Sequence, residues 1–358
     1  MAALPYNSAM TSPPGQVPVI RADLAPADSA GAAVRRTASA ALLLGTVFWG
    51  CGFTWAKAAG ETINARAVGL PAHSAFGPVF LLSWRFLIGG VAWMLLFPAS
   101  RRGWTWAGAA RSALVGILLA LGLIVQHVGL DRTSEAVSAF LTSLTILFVP
   151  ILTTFGLGKR PRAPLWIGVA LATGGVWLMT GASPSGFGAG ELLGLACALA
   201  FSFYILTVNA VVARDVPWRV TGGQFLAVAG ACFVCCAFIP GGRANLSPHA
   251  AGRLLAAPTV WINLLLLTAF PTIAAYGLLT HYQPKLDPTR AALLYLMEPV
   301  VAAIYAAVVG RHPCGLHVVA GGACILLANA LAEVLSSRAP NGGSGNDPTN
   351  PTVGIKVT

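Results

Sequence analysis

Residues 287–313 read DPTRAALLYLMEPVVAAIYAAVVGRHP, an apolar run that opens with Asp287-Pro288-Thr289, closes with Gly310-Arg311-His312-Pro313 and carries Glu298-Pro299 near its middle. Residues 131–161, DRTSEAVSAFLTSLTILFVPILTTFGLGKRP, follow the same plan, with Asp-x-Thr at the start and Gly-basic-x-Pro at the end. Aspartate and glycine stand 27 positions apart in the first copy and 23 in the second, a difference of four that one helical turn absorbs. On this reading only the second copy carries a buried acid.

Composition places both copies in a membrane. Apolar residues make up 56% of the 358 and charged residues 9%, against about 25% charged in soluble domains. A soluble chain of this length needs far more charge to cover its surface. The net charge of +11 does not indicate nucleic acid, because the basic residues sit in short clusters between apolar runs and are not interleaved with exposed aromatics. The seven cysteines fall almost entirely within apolar runs and propose no disulfide framework.

Ten runs are long enough to span a bilayer core at about 20 residues each. They lie at roughly 38–58, 75–97, 108–130, 135–157, 164–182, 191–212, 220–240, 260–282, 289–309 and 315–336. A backbone in lipid must satisfy its own hydrogen bonds, so each is expected to be helical and the protein all-α and polytopic. Residues 1–36 and 338–358, rich in Ala, Pro, Gly and Ser, read as disordered tails. With the N-terminus inside, the inner segments hold fifteen Lys and Arg and the outer loops five, a bias that places both termini in the cytoplasm.

The echoed stretch is the fourth run and again the ninth, which implies two five-helix halves, 37–182 and 190–337. Five is odd, so the two copies enter the membrane from opposite sides, the inverted repeat from which many transporters are built. Trp49, Phe53 and Lys57 in the first helix have counterparts in Phe201, Tyr204 and Asn209 of the sixth.

WGCGFTWAK at 49–57, SWRFLIGG at 83–90, the 131–152 stretch and PTRAALLYLMEPVVAAIYAAVVG at 288–310 resemble the drug/metabolite transporter superfamily, and within it the EamA-type transporters. The resemblance implies ten helices in two inverted repeats of the inner membrane. It also implies alternating access through a central cavity and a small-molecule cargo such as an amino acid, a related metabolite or a drug, with export the expected direction. It implies no cofactor. Repeats of the family commonly place an acid after the Leu-Gly that closes helices four and nine; here Lys159 and Arg311 follow the glycines.

Glu298 is the sharpest chemical feature. It sits about ten residues into its helix, where a carboxylate facing lipid costs at least about 2.5–3.5 kcal/mol, so it must face protein or water. Tyr295, Glu298, Ala302 and Tyr305 fall on one stripe of the helix. Glu298 could change protonation during a cycle, which makes protons a candidate coupling ion, or hold an amine; the alternative is a structural acid locked to a neighbouring helix. Arg85, at similar depth in helix two, is its natural partner, as a packing pair or a gate; unpaired, it could grip a substrate carboxylate. Gln224 is its counterpart in helix seven.

Lys57 either snorkels or adds positive potential to the cavity. Ser138, Thr142 and Thr145 form a polar stripe on helix four that serves cargo or only neighbouring backbone. Pro150 and Pro299 each remove a backbone donor and are expected to bend the echoed helices, as gating elements or as static kinks. Cys232, Cys235 and Cys236 lack His or acidic partners and read as packing residues, and His127 and His281 supply no metal cluster. The competing class is an integral membrane enzyme or lipid-handling protein, which would need nucleophile, base or metal ligands grouped at one membrane face; the sequence offers no such group. Nothing in it sets an oligomeric state.

Overall fold

The apolar runs become helices because only a helix satisfies every backbone donor and acceptor within the segment. The computed structural model describes residues 27–71, 73–156, 163–179, 187–286, 291, 294–310 and 315–338. The expected tails, apart from 27–36 and residue 338, lie outside the described residues, as do Gly158-Lys159-Arg160-Pro161, Asp287 to Arg290 and Arg311-His312-Pro313.

In chain order the helices are α1 (Ala27–Arg66), α2 (Phe76–Leu96), α3 (Trp106–Leu130), α4 (Glu135–Ser143), α5 (Thr145–Gly156), α6 (Ala163–Met179), α7 (Ala189–Val212) and α8 (Pro217–Phe238). There follow the short α9 (Gly242–Asn245) and α10 (Pro248–Leu255), then α11 (Pro258–Leu267), a π-helical turn (Thr268–Ala274), α12 (Ala275–Tyr282), α13 (Met297–Val308) and α14 (Leu316–Arg338). No strand occurs among the described residues. Among the described residues, seven helical stretches are long and apolar enough to cross a membrane: Ala33–Arg66, Phe76–Leu96, Trp106–Leu130, Glu135–Leu152, Ala189–Val212, Pro217–Phe238 and Pro258–Tyr282. The fifth, ninth and tenth expected runs coincide with the shorter apolar helices Trp166–Met179, Met297–Val308 and Leu316–Leu331. α1 begins at Ala27, eleven residues ahead of the expected boundary at 38.

Packing follows an exchange rule. α1 packs on α11–α12 and on α13, while α7, its counterpart, packs on α3 and on α4. α2 packs on α8, α6 on α14 and α4 on α13, each an element against its own counterpart in the other half. Glycines permit these approaches: a Cβ on Gly175 of α6 would stand 2.7 Å from the Gly321 carbonyl oxygen of α14, and Gly321 faces Gly175 in return. Gly90 of α2 lies against Leu226 of α8 and Gly222 of α8 against Met94 of α2 in the same reciprocal way. Where lipid is as apolar as the side chains, such close backbone contact is what draws helices together.

Candidate functional site

The two echoed helices are both interrupted, and at the same place. α4 ends at Leu144 with φ −62° and ψ −12°, and α13 starts after Leu296 with φ −62° and ψ −14°. Each leucine stands fourteen positions before its closing glycine, Gly158 or Gly310. Pro299 explains the second break, since its ring excludes the bond that residue 299 would donate to the Tyr295 carbonyl. Pro150 lies within α5 and Pro299 within α13, at different distances from those glycines, so the breaks are equivalent and the prolines are not.

The carbonyls released at the first break are met by side chains. Thr145 Oγ1 donates to the Thr142 carbonyl at 2.7 Å and reaches that of Ala198 on α7 at 3.2 Å. Asn329 Nδ2, wholly buried on α14, donates to the Ser143 carbonyl at 3.1 Å and to Ser143 Oγ at 3.0 Å. Thr142 Oγ1 donates to the carbonyl of buried Ser138 and accepts from Gln126 Nε2 of α3 at 3.2 Å, with Cys197 Sγ of α7 at 3.7 Å. The serine-threonine stripe therefore ties four helices together at the break.

Glu298 occupies the first turn of α13, the end of a helix whose free N–H groups favour a carboxylate. Its carboxyl acts electrostatically on Tyr276 of α12, Tyr295 and Cys197. Trp49 of α1 stacks edge-on with Tyr276 at 5.7 Å and tilts over Tyr295 at 5.9 Å, and its Nε1 donates to the Pro271 carbonyl at 2.9 Å. Tyr204 of α7 lies near the Tyr276 hydroxyl and donates to Gln224 Oε1 of α8 at 3.1 Å. Tyr204, Tyr276, Tyr295 and Glu298 are each part-exposed although they lie within helices packed on several sides. Trp49 of the first half thus meets two part-exposed aromatic rings of the second, beside Glu298.

Arg85 does not pair with Glu298. It is buried on α2, and its Nε donates to Thr272 Oγ1 in the π turn at 2.7 Å. The two groups stand on elements with different neighbours: α2 packs on α8 and the π turn, α13 on α1 and α4. The π turn is held closely elsewhere too, with a Cβ on Gly52 falling 3.1 Å from Pro271 Cγ and one on Gly89 2.9 Å from Thr272 Cγ2.

Other expected residues are placed differently. Phe53 is in the packed core. Asn209 is exposed; five residues beyond Tyr204 it points about 140° away around α7. Lys57 is buried, and its Nζ donates to the Thr133 carbonyl at 2.5 Å. Thr133 Oγ1 donates to Glu191 Oε1 at 2.6 Å, which links α1, the α3–α4 turn and α7 at one end of the protein. The opposite end, where α2 finishes and α8 starts, is filled by Trp93, Phe97 and Trp218, with Trp93 Nε1 donating to the Trp218 carbonyl at 2.9 Å. The expectation of a buried acid in the second copy alone fails, because Glu135 in the first turn of α4 is fully buried. Tyr276, Gln126, Thr272 and Asn329 were not expected at the site; the polar character of Gln126 and Asn329 within apolar runs was the available signal.

The comparisons agree with the twofold plan. The EamA-like transporter family matches the chain twice, over residues 36–181 and 188–333. An uncharacterized transporter of Archaeoglobus fulgidus is 26% identical over 279 residues, covering 77% of this chain and 79% of that protein. A protein crystal structure sharing 21% identity superposes with a TM-score of 0.55 over 84% of this chain and 98% of the other, which shows a common fold. With a match in each half, and the packing exchange between halves to go with it, this chain belongs to the EamA-like transporter family and is a multi-pass membrane protein.

Proposed function

We propose that the protein is a secondary transporter that moves a small metabolite, an amino acid, related compound or drug-like molecule, out across the cytoplasmic membrane by alternating access between two inverted halves. One observation carries this reading: Trp49, from the first helix of one half, meets Tyr276 and Tyr295 of the other half beside Glu298, and the two tyrosines and Glu298 are all part-exposed. The exchange rule in the packing supports two interconvertible arrangements of the halves. The Lys57–Thr133–Glu191 tie at one end and the Trp93–Phe97–Trp218 stack at the other supply closures of different chemistry. The charge bias supports cytoplasmic termini.

Glu298 is the coupling residue in this reading. Protonated, it crosses the cycle as a neutral group; ionised, it attracts an amine or a proton. Counterflow in proteoliposomes against a panel of amino acids and related metabolites tests the reading. Exchange of at least one cargo is expected, with a pH dependence that flattens in Glu298→Gln. No exchange for any member, together with hydrolytic or transferase activity, overturns it. Exchange with the same pH profile in Glu298→Gln removes the coupling role and leaves the transporter.

A further inference from the structure

A groove of about 580 Å³ opens on the outside of the bundle, lined by Met94 of α2, Ala109 and Ala113 of α3, and Gly223, Leu226 and Ala227 of α8, with Arg101 and Trp104 at its rim. It does not belong to the central site. Its flanks carry Val91, Leu95, Leu114 and Ile117, all well exposed, so this is a face that lipid covers. The loop from Phe97 to Thr105 folds over the groove's polar end: Trp104 Nε1 donates to the Ser100 carbonyl at 2.9 Å, and the indole lies where a Cβ on Gly223 would come within 2.7 Å of it.

That end is positively charged beyond what the protein neutralises. Arg101 and Arg102 are exposed beside it. Arg219 crosses beneath the loop, its Nη2 2.8 Å from the place of a Cβ on Gly103, a residue whose φ of +70° suits glycine alone. Arg219 Nε is buried and has no hydrogen-bond partner among the described residues. The nearby carboxylate, Asp215, is taken by Arg111 Nε at 2.6 Å; Arg219 adds to the field at Asp215 without bonding it. No carboxylate pairs with Arg101, Arg102 or Arg219 among the described residues.

We propose that this groove binds one anionic phospholipid, its acyl chain along Met94, Ala113 and Leu226 and its phosphate on Arg101, Arg102 and Arg219. An apolar channel running from a lipid-covered face to a cluster of unneutralised guanidinium groups fits an amphiphile with a negative head. Guanidinium forks suit phosphate geometry, and the indole of Trp104 stands at the boundary where aromatic residues anchor in headgroups.

The full chain reconstituted in phosphatidylcholine vesicles, with brominated phosphatidylglycerol or brominated phosphatidylcholine added at equal fraction, tests this. The Trp104 signal is isolated by subtracting the emission of Trp104→Phe. Quenching of that signal by the anionic lipid is expected to exceed that by the zwitterionic one, with an apparent affinity ratio of roughly fivefold or more. The preference should collapse in Arg101→Gln/Arg102→Gln, a pair of exposed loop changes that leaves the helices alone, while quenching by phosphatidylcholine persists. Equal quenching by the two lipids, or a preference that survives the double change, overturns the proposal. Loss of the preference on adding millimolar inorganic phosphate also overturns it, by reassigning the arginines to a free anion.

Discussion

Gly50→Ala is the sharpest probe of the broken helix. A Cβ at Gly50 of α1 would lie 2.8 Å from Val301 Cβ and Cγ1 and 2.9 Å from the Glu298 carbonyl oxygen. Carbon contacts settle near 3.5–4.0 Å, so α1 and α13 must separate by roughly 1 Å at the turn that holds Glu298. Overfilling a tight contact of this kind costs about 1–3 kcal/mol. The substitution also brings alanine's better helix propensity, worth about 0.5–1 kcal/mol. Gly230→Ala, on α8 where nothing stands within 4 Å of the new methyl, carries that gain alone. The difference between the two variants is therefore the overpacking term by itself. Melting followed with a thiol-reactive dye suits the protein, since Cys197, Cys232 and Cys236 are buried and become reactive on unfolding. Gly50→Ala should melt below wild type and below Gly230→Ala, and its cargo exchange should slow. If it melts with Gly230→Ala and exchanges at the wild-type rate, the close seating of α1 on α13 is not what holds Glu298 in place.

Thr145→Val keeps the shape and removes the hydroxyl shared between the Thr142 and Ala198 carbonyls; a loss of roughly 0.6–1.7 kcal/mol is expected, and an unchanged melt would mean that the break needs no side-chain support. The hydrogen bond from Arg111 holds the Asp215 carboxyl below the usual carboxylate range. The stability this bond provides is complete above the unfolded value of about 3.9 and disappears as pH falls through the lowered folded value. Asp215→Asn should accordingly lose less melting temperature than wild type on acidification below about pH 4; parallel curves would show the bond to be inert. Trp49→Phe keeps the ring against Tyr276 and Tyr295 but cannot donate to the Pro271 carbonyl. Slower exchange with a normal melt is expected, and wild-type exchange would show that the tie plays no part in the cycle.

Hydropathy alone located the long apolar helices, because in lipid an apolar run has a single way to satisfy its backbone, but not the short α9 and α10 between the seventh and eighth runs. The duplication was legible in the Asp-x-Thr and Gly-basic-x-Pro ends, and Glu298 in the middle of its run stood out because charge there is costly. The partners of these groups were not legible. Arg85 and Glu298 share a depth, yet depth does not say which helices touch; Arg85 faces the π turn through Thr272. Tyr276 reaches Trp49 only through packing between halves. The equivalence of Leu144 and Leu296 is present in the sequence once the copies are aligned on their closing glycines. Aligning them on the prolines hides it.

The π turn at Thr268–Ala274 has a consequence for how alike the halves can be. A residue added to a helical turn rotates everything after it by about 100° relative to an unbroken helix. α3, the counterpart of this span, runs unbroken from Trp106 to Leu130. Tyr276 therefore owes its direction to the widened turn, and shortening the chain by one residue there would swing its hydroxyl away from Tyr204 with no change of sequence at either tyrosine. The two halves are copies in outline and not interchangeable parts: a single residue of helical phase, present in the second and absent from α3, sets the direction of a ring that meets Trp49 of the first.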